Sequence, residues 1–426
     1  MPSEKKQIIN VDFSGVDRRI RDIISMVGKE ADKRNLSAYV VGGWVRDILL
    51  KRENLDLDIV VVGNAVLLAK FLAKKRRAAI KIYKNFRTAT VTLEDGFEVD
   101  FAMARQEKYL RSGALPKVSA GSMKDDLYRR DFTINAMALS INQKDFGNLL
   151  DSYGGLSDLR KGRVRILHKK SFFDDPTRIL RAIRFERRFG FSMNRKTLRL
   201  LKEALEKNAV NSVKAPRYFN EFRKILKEPF PYRCIRRLKK LNAFEFLGKH
   251  YKPHMRLLGR IERRIEKIKK KNFFYSNLDW SRVYLIALLG YKNKIPIDKL
   301  ASSLHLTRQE RTILKESQRC NNIIKRLKRR KLKPSQVYLL LRSLDVEVAY
   351  FMRANTSSLM AALRVDHYLM KSRFVKLDIS GDEIKRFGIS SGKRIGKAMD
   401  ILLLKKIDGV IKNYRQERKE LKKLNL

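Results

Sequence analysis

The chain has 426 residues, with 97 Lys or Arg against 45 Asp or Glu, a formal net charge of +52 that makes a polyanion, nucleic acid first, the expected partner. Hydrophobic residues make up 44% and are spread along the whole length, which excludes a chain disordered throughout and allows two to four domains. No run of about 18 apolar residues exists to span a bilayer. The opening MPSEKKQIINVDF lacks the apolar segment of a signal peptide, and Cys234 and Cys320 cannot build a disulfide framework, so the expected compartment is cytoplasmic, with no membrane or protein partner implied.

In chain order, Val16 to Val27 carries Ile20, Ile23, Ile24 and Val27 at helical spacing. Residues 38–41 and 59–62 read as buried strands bounded by glycines. Residues 88–93 and 97–102 alternate and flank Asp95-Gly96, which predicts a hairpin. The stretch from Asp100 to Asp126 is polar, glycine-bearing and weakly periodic, and it predicts a loop. After Gly155 strand signals fade, and from Pro176 onward amphipathic helices follow almost without interruption. Leu258, Ile261, Ile265 and Ile268 form one stripe with arginines and lysines between them. Thr307 and Glu310 predict a capping box, opening a helix in which Ile313, Cys320, Ile324 and Leu327 share a face. The basic run Arg326 to Lys333 ends before Pro334, a natural boundary. The expected fold class is therefore α+β: a mixed unit over residues 1–150, followed by helical segments over 151–228, 229–330 and 331–426.

The most informative stretch is VVGGWVRDILLKRENLDLDIVVV. A strand ends at Val41, Gly42-Gly43 turns, and a short helix carries Arg46 and Asp47. Glycines let backbone N–H groups approach a phosphate, and Arg46 can add a charged hydrogen bond to the same group. Asp56 and Asp58, two apart in an extended segment, point to one side and repel unless a cation sits between them. Hard carboxylate oxygens suit Mg²⁺. A lone Asp-x-Asp would read as a solvated acidic turn; the Gly-Gly-x-Val-Arg-Asp turn upstream shifts the reading to a metal site. Asp100 alternates with Phe97, Val99 and Phe101 and is either a third ligand or an outer group orienting the ligands.

With these residues in view, the chain resembles the class II tRNA nucleotidyltransferases, the group of CCA-adding, A-adding and CC-adding enzymes and bacterial poly(A) polymerase. Gly42-Gly43-x-Val45-Arg46-Asp47 with Asp56-x-Asp58 resembles that family's catalytic motif. Asp126-Leu-Tyr-Arg129-Arg130-Asp131-Phe132-Thr133-Ile134-Asn135 resembles its ribose and triphosphate motif, and Asp151-x-x-Gly154-Gly155-x-x-Asp158 the turn into the neck. Asp174-Asp175-Pro176-Thr177-Arg178 is similar to its nucleotide-selecting motif, and Ala215-Pro216-Arg217 through Glu221 to the helical motif that follows. Beyond about residue 230 the likeness is one of composition, apart from a glycine-bearing stretch, Gly388 to Gly396.

The resemblance implies that Asp131 or Asp126 senses a ribose 2′-OH, that Asn135 helps hold the triphosphate, and that Asp175 and Arg178 select the base. It also implies that the loop after Asp100 helps the change from CTP to ATP. Read as residues, Arg129 and Arg130 are forks suited to triphosphate oxygens. Asp175 fits a helix N-cap, and Arg178 lies one turn on, so that a carboxylate and a guanidinium can stand side by side. Arg181 and Arg184 line a second, basic stripe of that helix, a candidate phosphate-facing, nucleotide-binding surface. The five histidines, His250 and His254 among them, form no metal set.

The function expected is template-independent transfer of CMP and AMP from CTP and ATP to the 3′ end of tRNA, with Mg²⁺ held by Asp56 and Asp58. The resemblance implies a polymerase-type catalytic head over 1–150, a nucleotide-selecting and RNA-binding neck over 151–228, a helical body over 229–330 and a tRNA-binding tail over 331–426. Within the class the alternatives are A-only addition and poly(A) polymerase. From another class the alternative is a non-catalytic RNA- or DNA-binding protein, supported by helix-turn-helix-like residues 299–328.

Overall fold

The structure, a computed structural model, describes residues 9–84, 87–248, 251–271, 279–291, 296–389 and 392–424. His250, and Ser390 and Ser391 within the glycine-bearing stretch, lie outside these residues. The chain forms two compact units: residues 1–221 with 240–249, and residues 222–239 with 250–426. The four-part division expected from the sequence is finer than this.

In the first unit, helix α1 (Arg18–Lys33) opens at Asp17, whose side chain accepts the Arg19 N–H, and it buries Ile20, Ile23, Ile24 and Val27 as their spacing requires. The strands are β1 (Ser37–Val41), β2 (Leu57–Val62), β3 (Ala79–Tyr83), β4 (Thr88–Thr92), β5 (Glu98–Met103), β6 (Arg105–Lys108), β7 (Lys117–Ala120), β8 (Ala138–Ser140) and β9 (Leu149–Leu150). One sheet runs in the order β3-β4-β5-β2-β1-β8-β9. Its one parallel pairing among these strands is β2 with β5; the others are antiparallel. A short helix, α2 (Gly43–Leu49), joins β1 to β2, and α3 (Ala65–Arg76) follows β2. Helices α1 and α3 pack on each other and on the sheet, and α3 buries Leu68, Ala69 and Leu72. The hairpin at Asp95-Gly96 forms as expected, with Gly96 at φ +81° and the Phe97 N–H on the Asp95 carboxylate.

Two expectations are corrected. The segment read as a loop after Asp100 contains an antiparallel hairpin, β6 with β7. Its period of two was present but carried by Arg105, Glu107 and Tyr109, polar residues that an apolar-alternation test passes over. The hairpin is tied at its tip: the Gly113 N–H donates to the Phe173 carbonyl at 3.2 Å, and Arg217 Nη1 donates to the Gly113 carbonyl at 3.0 Å. The second correction concerns the helix after the capping box. Thr307 and Glu310 do cap one another, but Arg308–Ser317 ends before Cys320–Leu327 begins. The N–H groups of Gln318 and Arg319 bond three residues back instead of four, a tight turn that ends the first helix yet leaves Ile313, Cys320, Ile324 and Leu327 all buried.

The second unit is helical and has its own apolar centres, among them Ile379, Ile384, Ala398, Leu402, Ile411 and Leu421. Cys320 is fully enclosed, and burial pushes its thiol up to about 12, which leaves it inert. Among the described residues no helix is long and apolar enough to cross a membrane.

Gly28 tests the packing of α1. A Cβ there would stand 1.8 Å from the backbone oxygen of Ile141, so Gly28→Ala must push the helix off the strand side of the unit. The expected cost is about 1–3 kcal/mol in urea denaturation, against the slight gain Ala gives at an open helical site.

Candidate functional site

Parallel pairing of β2 with β5 sets Asp58 directly opposite Asp100, and Asp56 lies just before β2. The three carboxylates converge, each offering an oxygen within 4.8 Å of the others. Thr90 on β4 donates to Asp100 Oδ1 at 2.5 Å. Burial raises the Asp58 pKa to about 6, and the charges of Asp56 and Asp100 add to this against the opposing pull of Arg130 and Arg129. Hard oxygen donors crowded against mutual repulsion are a donor set that fits a divalent cation. Asp100 therefore stands with the other two aspartates, resolving the position that alternation alone left open.

Gly42 sits at φ +70°, and a Cβ on it would meet Arg130 Nη1 at 2.5 Å. Its lack of a side chain thus admits the Arg130 guanidinium to the turn as well as allowing the backbone conformation. Gly43 begins α2, and Arg46 and Asp47 on that helix are buried. Arg46 donates through Nε and Nη2 to the two oxygens of Asp47, both at 2.8 Å, and through Nη1 to Asn135 Oδ1 at 2.7 Å. These bonds turn Arg46 inward, away from the phosphate-facing role that the Gly-Gly turn predicts for it. Asn54 donates to Asp47 Oδ2 at 2.8 Å and accepts the Asp56 N–H at 2.9 Å. Asn54 was not singled out from the sequence, because an Asn in a polar turn has no pattern to mark it. It ties the buried Arg46–Asp47 pair to the loop that presents Asp56.

The charged residues of the motif at 126–131 fall into two sets. Helix α4 (Met123–Tyr128) carries Asp126, wholly buried, which accepts from Arg129 on one oxygen and Arg130 on the other at 2.8–3.3 Å. Burial alone would raise its pKa, but the two guanidinium groups hold it below the usual carboxylate range. Arg129 also reaches Glu107 on β6 at 3.2 Å, which ties the end of α4 to the β6–β7 hairpin. Asp131 belongs to a different set. Its oxygens accept from the Phe132 N–H, from Asn135 Nδ2 at 2.9 Å and from Arg181 Nε at 2.7 Å. Against the opposing effect of burial, Arg181 and Asn135 bring its pKa down to about 2. Arg181 also lies 3.6 Å from Glu221.

The helix Thr177–Arg188 follows Asp175, which is extended, and Pro176, already helical. Asp175 Oδ1 accepts the Thr177 N–H at 3.1 Å, so it caps as expected, and it also pairs with Arg217 at 3.0 Å. Arg178 is buried and donates to Ser171 Oγ and to the Arg129 carbonyl, both at 2.7 Å. The side-by-side pairing of Arg178 with the aspartates expected from spacing is not what these bonds make. The free carbonyl at the end of α4 draws the guanidinium instead. Arg184, half-buried on the same helix, lies 5.1 Å from the Phe185 ring. Between the hairpin, α4 and residues 168–174 an open polar cavity of about 520 Å³ is lined by Tyr109, Tyr128, Arg129, His168 and Asp174.

Comparison with known proteins bears on this arrangement. Residues 38–165 match the model for the poly A polymerase head domain, and residues 190–255 that for a probable RNA- and SrmB-binding site of polymerase A. The Thermotoga maritima CCA-adding enzyme solved with tRNA is similar at a TM-score of 0.73 and 33% identity, with 97% of this chain and 98% of that one covered. The chain belongs to the tRNA nucleotidyltransferase and poly A polymerase family. Another member of that nucleotidyltransferase family, a CCA-adding enzyme solved with ATP, is similar at a TM-score of 0.76 and 33% identity over 97% of this chain and 98% of that one. The A-adding tRNA nucleotidyltransferase of Geobacter sulfurreducens is 32% identical over 421 residues, 96% of this chain but 47% of that protein. The chain spans about half the length of the curated A-adding relatives it matches along most of its own length.

The Asp131 set of this family member makes a pH-dependent prediction. Its carboxyl is held at about 2 against an ordinary 3.8, so the stabilisation is fully present above 3.8 and is lost as pH falls toward 2. Asp131→Asn is expected to destabilise the fold by about 2 kcal/mol at neutral pH, leaving Arg181 without its buried partner. The gap between the denaturation midpoints of variant and wild type should close as pH falls from about 4 toward 2.

Proposed function

We propose that the protein extends the 3′ end of tRNA without a nucleic-acid template, adding CMP and AMP from CTP and ATP. The convergence of Asp56, Asp58 and Asp100 beside the Gly42 turn is the observation that carries this reading. Asp56 and Asp58 would hold Mg²⁺, two ions by the two-metal scheme, with Asp100 completing the acidic set. Bound magnesium would neutralise charge on the transferring phosphate and lower the pKa of the RNA 3′-hydroxyl. The chain's own residues do the rest. Arg129 and Arg130, fixed by Asp126, direct positive charge toward the carboxylates and toward a triphosphate. Asp131 and Asn135, locked by Arg181 and Arg46, are pre-oriented to accept from and donate to the nucleotide. Asp175 takes part in base selection together with Arg217, which holds it, while Arg178 steadies the end of α4.

The expected compartment of such an activity is the cytoplasm. Complete CCA addition is the reading preferred, supported by likeness along nearly the whole chain to solved CCA-adding enzymes. A-only addition is the second reading, supported by the relatives named as A-adding enzymes. Two measurements test these readings. Asp58→Asn should reduce nucleotide incorporation to below roughly one per cent while leaving RNA affinity nearly unchanged; incorporation near the wild-type rate would refute the role of the carboxylates. Offered tRNAs ending at the discriminator base, at C and at CC, with CTP and ATP together, the wild-type protein should bring all three to one product. Extension of the CC-ended tRNA alone would establish the second reading in place of the first.

A further inference from the structure

The three converging carboxylates are not held alike. Asp58 and Asp100 lie within β2 and β5, where strand pairing and the buried Leu57, Ile59, Val99 and Phe101 fix them. Asp56 comes before β2, in the segment that leads from α2 to that strand. From residue 51 to residue 56 every residue but Asn54 is exposed, Leu55 at 61%. Apolar packing therefore does not set where Asp56 stands.

Hydrogen bonds hold the segment instead. At its start the Arg52 N–H donates to the Asp47 carbonyl at 2.8 Å, and the Arg52 guanidinium lies 5.0 Å from the Phe189 ring. Beyond Arg52 the tether is Asn54. Its Oδ1 accepts the Asp56 N–H at 2.9 Å, a turn that Asn side chains favour, and its Nδ2 donates to Asp47 Oδ2 at 2.8 Å. The far end of this tether is firm. Asp47 is buried, and the buried Arg46 donates to both its oxygens at 2.8 Å while also bonding Asn135 Oδ1 at 2.7 Å. Such a pair resists displacement, because parting it leaves buried charge unpaired. The amide of Asn54 also lies against the glycine turn: a Cβ on Gly43 would stand 3.8 Å from its Nδ2.

Like charges repel, and an acid on an unpacked segment is the one free to move away from the other two. We propose that Asn54 is a positioning residue for the cation site: it holds Asp56 against the repulsion of Asp58 and Asp100, so that the three oxygens stay converged before a divalent cation arrives. Its partners are the Asp56 backbone and the Asp47 carboxylate, so it acts through Asp56 and not as a ligand. The proposal rests on the metal-dependent function proposed above.

The test uses the full chain carrying Asn54→Ala, with Asn54→Ser as the conservative variant and Leu55→Ala as the neighbouring control. Mn²⁺ affinity is read from the electron paramagnetic resonance of the free ion, and circular dichroism reports the fold. Nucleotide incorporation into tRNA is followed across a Mg²⁺ series. Asn54→Ala should weaken Mn²⁺ binding about tenfold and raise the Mg²⁺ needed for half-maximal incorporation by about the same factor. At saturating Mg²⁺ its rate should return close to the wild-type value. Asn54→Ser, whose hydroxyl can accept the Asp56 N–H, should fall between, and Leu55→Ala should match the wild type. Folded Asn54→Ala with wild-type Mn²⁺ affinity would overturn the proposal and leave the role of the carboxylates standing. So would a loss of incorporation that no Mg²⁺ concentration recovers. A wild-type protein that bound no Mn²⁺ would overturn both the proposal and the metal-dependent reading.

Discussion

Asp58 and Asp100 face each other across two parallel strands, and the rest of the first unit is arranged around that confrontation. A parallel pair requires a long crossover, and here residues 63–97 supply it with α3 and the β3–β4 hairpin. The register cannot slip by one residue without turning Leu57, Ile59, Val99 and Phe101 out of the core, so apolar burial on one face fixes the carboxylates on the other. Repulsion between the acids is thus built in by packing that has nothing to do with catalysis. A divalent cation bound among them would relieve it.

The supports of that acidic set form a continuous polar chain. From Glu221 it runs through Arg181, Asp131, Asn135, Arg46, Asp47 and Asn54 to the backbone of Asp56. Its arginines and aspartates alternate in charge, and the Asp131 carboxyl sits far below its ordinary range because its neighbours meet the cost of burial. Residues that the sequence marks as separate motifs, at 42–47, 126–135, 174–178 and 215–221, are brought into one electrostatic assembly in which most of the charged groups serve one another. The carboxylates that no arginine of this chain of bonds neutralises, Asp56, Asp58 and Asp100, are the ones the proposed chemistry needs.

Much of this could be read beforehand. Helix α1, strands β1 and β2, the Asp95-Gly96 hairpin and the Thr307 capping box follow from local rules of spacing and turn chemistry, and they appear where those rules put them. The DxD pair was readable because its residues are adjacent and their alternation is local. Three things were not. The β6–β7 hairpin alternates in charge instead of hydrophobicity. The position of Asp100 depends on which strand lies next to β2, a long-range fact. The partners of Arg46 and Arg178 depend on which carbonyls and carboxylates the fold leaves nearby, and spacing along a helix cannot rank a neighbour one turn away against a helix end 49 residues distant in sequence.

The claim on which everything else depends is that the three aspartates bind a divalent cation together. The direct measurement is a titration of the wild-type protein with Mn²⁺, followed by electron paramagnetic resonance of the free ion, repeated on Asp56→Asn, Asp58→Asn and Asp100→Asn. The account predicts that the wild type binds Mn²⁺ in competition with Mg²⁺ and that each substitution weakens binding by at least about tenfold without loss of fold. Undiminished Mn²⁺ binding in all three folded variants would contradict it.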